Sequence, residues 1–238
     1  MLIGPYVNGA AIVAGGVIGA TSGKYLPERV KASLSLIFGL CSMGLGVMLI
    51  PQVKNMPAVV IALVLGTVIG ELIFLEKGFG RAAGSTRGMI DKFFPTPDSL
   101  SKDSFTEKFV AIVVLFCASG TGIFGAMHEG MTGDPSILYI KTVLDLFTST
   151  IFASLLGFAV ATIVIPQLVI QLVLAMLAGM ILPMTTASMM ADFSAVGGLL
   201  MLATGFRIAG IKVFPVANML PALILVMPLS WVWATFVG

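Results

Sequence analysis

The stretch LYIKTVLDLFTSTIFASLLGFAVATIVIPQLVIQLVLAMLAGMILP (138–183) decides the fold. A helix that crosses a bilayer needs about 20 predominantly apolar residues to span a hydrocarbon core of roughly 30 Å. This run is about twice that length, so it cannot be one crossing. Pro166 and Gln167 interrupt its later half, and a proline inside a helix costs a backbone hydrogen bond. A tight turn is therefore predicted there, separating spans at 138–160 and 163–183.

Outward from this pair, further apolar windows fall at 8–23, 31–50, 57–76, 108–126, 194–210 and 215–237. The expected fold is an all-α polytopic transmembrane helix bundle of about eight spans, seven plus a re-entrant segment being the alternative. Composition agrees. Of 238 residues, 58% are in the AVILMFWYC class and only 10% are charged, with a mean hydropathy of +1.09. Soluble domains carry about 25% charged residues, so a soluble enzyme is excluded. A disulfide-stapled module is excluded too, because Cys41 and Cys117 each sit deep inside an apolar run, where a thiol is usually just a small buried hydrophobe.

Orientation follows from the basic residues. Eleven of the thirteen Lys and Arg fall in connections of one parity, with Lys54 and Lys141 on the other. By the positive-inside rule the first set is cytoplasmic and both termini face outward. The opening MLIGPYVNG has no basic region of the kind that precedes a cleaved signal, so the first span is expected to stay. The whole chain, 1–238, reads as a single transmembrane domain, and 78–107 as a cytoplasmic interfacial loop within it.

Short fragments repeat inside the spans. LCSMGLGV (40–47) matches FCASGTGI (116–123), with a looser echo in LATGF (202–206). Each is followed by a polar residue near a proline: NMPAVV (55–60), GDPSIL (133–138) and NMLPAL (218–223). Spans two and three stand five crossings from spans seven and eight, and an odd offset implies opposite orientation, the inverted-repeat plan of many secondary transporters. GGVIG (15–19) and GTVIG (66–70) have the spacing of close helix packing, within the chain or in a homodimer. Ser119, Gly120, Thr121 and Gly122 place hydroxyls between glycines in mid-span, the pattern of a broken helix lining a site.

Ionisable groups inside spans are costly and mark candidate sites. Asp145 falls roughly 12 Å into span five, near the midplane, at a depth close to those of Thr121, Gly44 and Thr204. Thr148 and Ser149 follow at i+3 and i+4, so one helix face carries a carboxylate and two hydroxyls. Such oxygens suit Na⁺, and a lone buried carboxylate suits a proton. The competing reading of Asp145 is structural, paired with Arg207, Asn218 or Lys141. Glu71 and Arg207 both approach the cytoplasmic ends of their spans and are candidates for an interhelical pair, whereas Glu76 and Lys77 read as an interfacial boundary. Asp192, two residues before Ser194, reads either as the cap of span seven or as part of a gate with Thr185 and Thr186. In the expected outer loop HEGMTGDP (128–135), His128 beside Glu129 is too few ligands for a metal. No hydrolase, nucleotide or metalloprotease motif occurs, and an intramembrane hydrolase built on Ser119 with Asp145 would lack a base.

The stretches FVAIVVLFCASGTGIFGAMHEGMTGDPSIL (109–138), LPMTTASMMADFSAVGGLLMLATGFRIAGIKVFPVANMLPAL (182–223), GPYVNGAAIVAGGVIGA (4–20) and LPERVKASLSLIFGL (26–40) resemble the YqgA-like family of bacterial inner-membrane proteins, domain of unknown function 554. The resemblance implies a bacterial inner membrane and one full-length domain, and it brings no residue roles with it.

The expected function is a secondary transporter of a small solute, coupled to Na⁺ or H⁺ through an intramembrane acid. Asp145 with Thr148 and Ser149, the Ser119 to Gly122 break, Arg207, Asn218, Glu71 and Asp192 are the candidate binding residues. A non-transporting scaffold or regulatory partner, or a channel, is the alternative. The expected partners are the bilayer, Na⁺ or H⁺, a small solute and a second copy of the chain. No nucleic acid, cofactor, resident metal or enzyme activity is expected.

Overall fold

A computed structural model describes residues 2–22, 25, 27–78, 81, 105, 109, 112–113, 115–117 and 119–237. The loop expected at 78–107 lies almost wholly outside them. Every regular element among the described residues is helical: α1 Gly4–Ser22, α2 Glu28–Leu49, α3 Met56–Leu72, α4 Gly120–Thr132, α5 Ser136–Leu156, α6 Val164–Ile181, α7 Ala187–Ile208, the short α8 Val216–Met219 and α9 Pro221–Phe236. Among the described residues, three helical stretches are long and apolar enough to cross a membrane, Ser136–Met184, Ala187–Ile208 and Val216–Phe236, with shorter apolar helices at Leu36–Gln52 and Met56–Leu72.

The first of these stretches doubles back. Gln167 Nε2 lies 3.3 Å from Asp145 Oδ2, whereas 22 residues of straight helix would separate them by about 33 Å. The reversal is not at Pro166 and Gln167. It occurs at Gly157, with φ 68 and ψ −155, a conformation that costs any residue with a side chain, and continues through the 3₁₀ segment Gly157–Ile163. Pro166 sits in the first turn of α6, where its missing N–H would have no intrahelical partner in any case. Gln167 is already inside the helix and buried.

Glycine contacts fix the relative directions of the helices. Gly4, Gly15 and Gly19 of α1 meet Leu138, Leu146 and Thr150 of α5 in rising order, so these two helices run parallel. Gly39 and Gly46 of α2 meet Gly205 and Gly198 of α7, an antiparallel pairing. Gly66 and Gly70 of α3 meet Ala222 and Asn218, so α3 runs antiparallel to the α8–α9 segment. The GGVIG and GTVIG faces are therefore used within the chain.

A β-carbon at Gly70 would overlap the Asn218 carbonyl oxygen, far inside van der Waals contact, whereas one at Gly44 would meet nothing within 4 Å. Backbone cannot move aside as a side chain can. Gly70→Ala is expected to cost about 1–3 kcal/mol. Gly44→Ala should be neutral or gain up to about 1 kcal/mol from helix propensity. Thermal unfolding of the two purified variants checks the contrast.

Two apolar clusters hold the bundle. One gathers Phe124, Phe193, Val196, Leu200, Leu223 and Val226 from α4, α7 and α9. The other gathers Ile12, Phe109, Phe116, Leu156, Val160 and Ile163 around α1 and the Gly157 reversal. The outward faces are apolar too, with Val64, Leu72, Val169, Met176, Met180 and Ile224 all exposed. A water-facing surface would show the opposite pattern.

Candidate functional site

Lys141 and Asp145 stand four residues apart on α5 and so share a face. Lys141 Nζ donates to Asp145 Oδ2 at 2.6 Å. Asn8 Nδ2 of α1 donates to the same oxygen at 2.8 Å, and Gln167 Nε2 of α6 at 3.3 Å. Three donors from three helices thus converge on one carboxylate oxygen, and Oδ1 receives none of these bonds. Of the structural partners considered for Asp145, Lys141 is the one the fold supplies; Arg207 and Asn218 lie elsewhere.

Facing this pair, the helix that precedes α4 breaks. Ser119 is extended, with φ −74 and ψ 136, and its side chain caps α4 by accepting Gly122 N–H at 3.1 Å. Gly120 opens α4, and a β-carbon at Gly122 would press on Lys141 Cε and Ser119 Oγ, each at 2.8 Å. Glycine at 122 therefore lets the Lys141 stem lie across the start of α4. Ser42 Oγ of α2 donates to Met201 O at 2.9 Å and shares a hydrogen bond with Thr121 Oγ1 at 3.3 Å.

These groups surround a small, partly open cleft of about 30 Å³ lined by Ser42, Ser119, Thr121, Lys141, Asp145, Thr148 and Thr204, with Phe38, Leu115, Phe116, Leu144 and Ile208 as its apolar wall. Residues expected at a common depth from helix rise alone, Thr121, Asp145 and Thr204, do meet here. Gly44 does not, and Ser42, half a turn earlier on α2, takes its place. Ser149 is buried against Gly15 of α1, donates to Leu146 O at 3.1 Å, and points away from the cleft.

Other candidates form separate groups. Arg207, one turn beyond Thr204, donates to Glu76 Oε1 at 2.6 Å rather than to Glu71, which is exposed. Glu76 is therefore a pairing residue and not only a boundary. Its backbone N–H also donates to Asn218 Oδ1 at 2.7 Å. Asp192 neither caps α7 nor lines the cleft. Thr186 caps α7, and Asp192 lies beyond the first turn, where the unpaired N–H groups have ended. Its carboxylate instead caps α3: Oδ1 accepts Lys54 N–H at 2.7 Å and Asn55 N–H at 2.9 Å, while Oδ2 accepts Asn55 Nδ2 at 2.9 Å and Ser230 Oγ at 2.6 Å.

Sequence reasoning passed over Asn8 and Gln171, and read Glu129 only as an outer-loop residue. Glu129 is not a loop residue: it is buried, and Oε1 accepts Ile3 N–H at 2.7 Å and Gly4 N–H at 3.0 Å, capping α1. In the α4–α5 connection, the Asp134 carboxyl is held below its usual range by hydrogen bonds from the Ser136 hydroxyl and amide.

Comparison with known proteins places the chain. The family described as "Protein of unknown function (DUF554)" matches residues 3–231. The chain is 56% identical over 236 residues to "Uncharacterized protein YqgA" of Escherichia coli (strain K12), covering 99% of each. It is 27% identical over 228 residues to "Uncharacterized membrane protein YdfK" of Bacillus subtilis (strain 168), covering 94% of this chain and 93% of that one. No solved structure matches. With its apolar helices and a match running almost from end to end, this chain belongs to the DUF554 family.

Proposed function

We propose that this protein crosses a bacterial inner membrane about eight times, with both termini outside, and carries a small polar solute through the Asp145 cleft, driven by protons. The observation that carries the reading is the convergence of a buried ion pair, a broken helix and hydroxyls from α2, α4, α5 and α7 on one cleft. Buried charge and interrupted helices inside an apolar bundle are expensive, and a water-filled solute path is where they are tolerated. Antiparallel packing of α2–α3 on α7–α9 supports an inverted repeat. Na⁺ lacks a free place at Asp145 Oδ2, which the Lys141 ammonium already occupies, whereas a proton needs no place of its own, because the Lys141–Asp145 pair itself holds an exchangeable one. A scaffold working through GGVIG or GTVIG is disfavoured, since those glycines are already packed within the chain.

The test is thermal unfolding of detergent-purified protein across pH in Na⁺, K⁺ or choline, for wild type and Asp145→Asn. A ligand that binds only the folded state raises apparent stability. A pH-dependent shift that ignores the choice of cation and disappears in Asp145→Asn is the expected result. A pH response identical in the two proteins would mean that Asp145 carries no proton, and the cleft would then be structural.

A further inference from the structure

Among the described residues, five buried side-chain atoms find no hydrogen-bond partner, and three of them, Gln167 Oε1, Gln171 Oε1 and Glu129 Oε2, belong to helices packed around α1. All three are acceptors. An acceptor left unpaired in an apolar interior costs about 1–3 kcal/mol, so three in one region call for a shared donor.

Their placement is ordered. Gln167 and Gln171 are four residues apart on α6 and both donate through Nε2 to Asn8 Oδ1, the second at 2.9 Å. Asn8 in turn donates to Asp145. Glu129 Oε2 lies against Gly4, one turn before Asn8 on the same face of α1, about 6 Å along the helix. From the other side, Gly130 touches the carbonyl of Ala175, one turn beyond Gln171 on the same face of α6. The three acceptors therefore lie along one seam that runs from Asp145 toward the N-terminal end of α1.

We propose that this seam between α1, α4, α5 and α6 holds a file of water molecules that puts Asp145 in proton contact with the membrane face at which α1 begins. The file is separate from the solute cleft. Water supplies what the seam needs, because each molecule brings two donors and can bridge two acceptors about one turn apart. A proton taken up at the Glu129 end moves by relay: each water accepts one proton and releases another, so one proton is delivered at Asp145 and no other group is consumed. The charged and titratable neighbours of Asp145 on the elements around it are Lys141 on α5 and Cys117 from the segment before α4, while α1 and α6 present only the amides of Asn8, Gln167 and Gln171. This inference rests on the proton-coupled reading of the cleft.

Ag⁺, a thiol reagent of about water size, is the probe. Gln171→Cys and Gln167→Cys are treated with Ag⁺ in the folded, detergent-purified protein. The thiols left free are then alkylated after unfolding and counted peptide by peptide, so the native cysteines stay in place. Ala195→Cys, equally buried but within the apolar cluster, is the dry reference. We expect Ag⁺ to block the thiol at 171 or 167 at least tenfold faster than that at 195. Rates equal to the reference at both positions, in variants that unfold at the wild-type temperature, would overturn the file. A high-resolution map with ordered water beside Gln167, Gln171 and Glu129 would support it, and side chains closed against one another there would overturn it. The two failures are distinguishable: a dry seam leaves the pH response of Asp145 untouched, whereas loss of that response leaves Ag⁺ entry untouched.

Discussion

Lys141→Met destabilises the protein by about 3–5 kcal/mol, the largest effect expected of any substitution in the cleft. The ammonium lies 2.6 Å from Asp145 Oδ2, and both side chains are almost wholly out of solvent. Removing one member of a buried pair leaves the other charge uncompensated in a low dielectric, and this penalty exceeds whatever the intact pair contributes over an apolar replacement. Asp145→Asn should cost a similar amount, because it strands the ammonium above the Phe116 ring, 5.6 Å from its centroid. The double variant Lys141→Met/Asp145→Asn is therefore expected to recover to within about 2 kcal/mol of wild type. Chemical or thermal unfolding of all four proteins closes the cycle. Strict additivity of the two single effects would mean that the charges do not interact.

Asp192→Ala is the second large effect, at about 3 kcal/mol or more. This fully buried carboxylate accepts from two backbone N–H groups, the Asn55 carboxamide and the Ser230 hydroxyl. Truncation strands the two backbone N–H groups and the Ser230 hydroxyl at once, while the Asn55 carboxamide keeps Ser188 Oγ at 2.8 Å, and each buried donor left unpaired costs about 1–3 kcal/mol unless water reaches it. Asp192→Asn should be milder, because an amide oxygen can still cap α3 while its NH₂ opposes the donor of Asn55. Ser230→Ala removes one bond and is expected to cost about 1 kcal/mol. If Asp192→Ala unfolded within 1 kcal/mol of wild type, the junction of α3, α7 and α9 would not depend on this carboxylate.

These two sites differ in how far they could be read from sequence. The Lys141–Asp145 spacing is local, so a helix over that stretch already puts both charges on one face. The break at Ser119 was legible as well, from hydroxyls alternating with glycine in mid-span. Asp192 was not: its partner Asn55 lies 137 residues away, and nothing in a single chain marks which helix start a distant acid will cap. Glu129 was misread for the same reason, its partners being the first amides of α1. The reversal of the long apolar run was expected from length, but its position was wrong. Proline tolerates a helix's first turn, while Gly157, in an uninterrupted apolar context, gave no polar marker of its positive φ. Asn8 stands in one apolar run and Gln167 and Gln171 in another far along the chain, and only packing shows that they meet.

The seam around α1 also sets a schedule for synthesis. Asn8 emerges early, but its partner Gln171 is 163 residues further on. At about 5–20 residues per second, the first helix waits roughly 8–33 seconds before that partner leaves the ribosome. Glu129, its N-terminal cap, comes only a little sooner. Helices released into lipid strictly one at a time would leave Asn8 in hydrocarbon without those partners throughout that interval. Assembly of this protein therefore calls for the first helix to be sheltered, by the insertion machinery or another chain, until the second half of the sequence arrives to close around it.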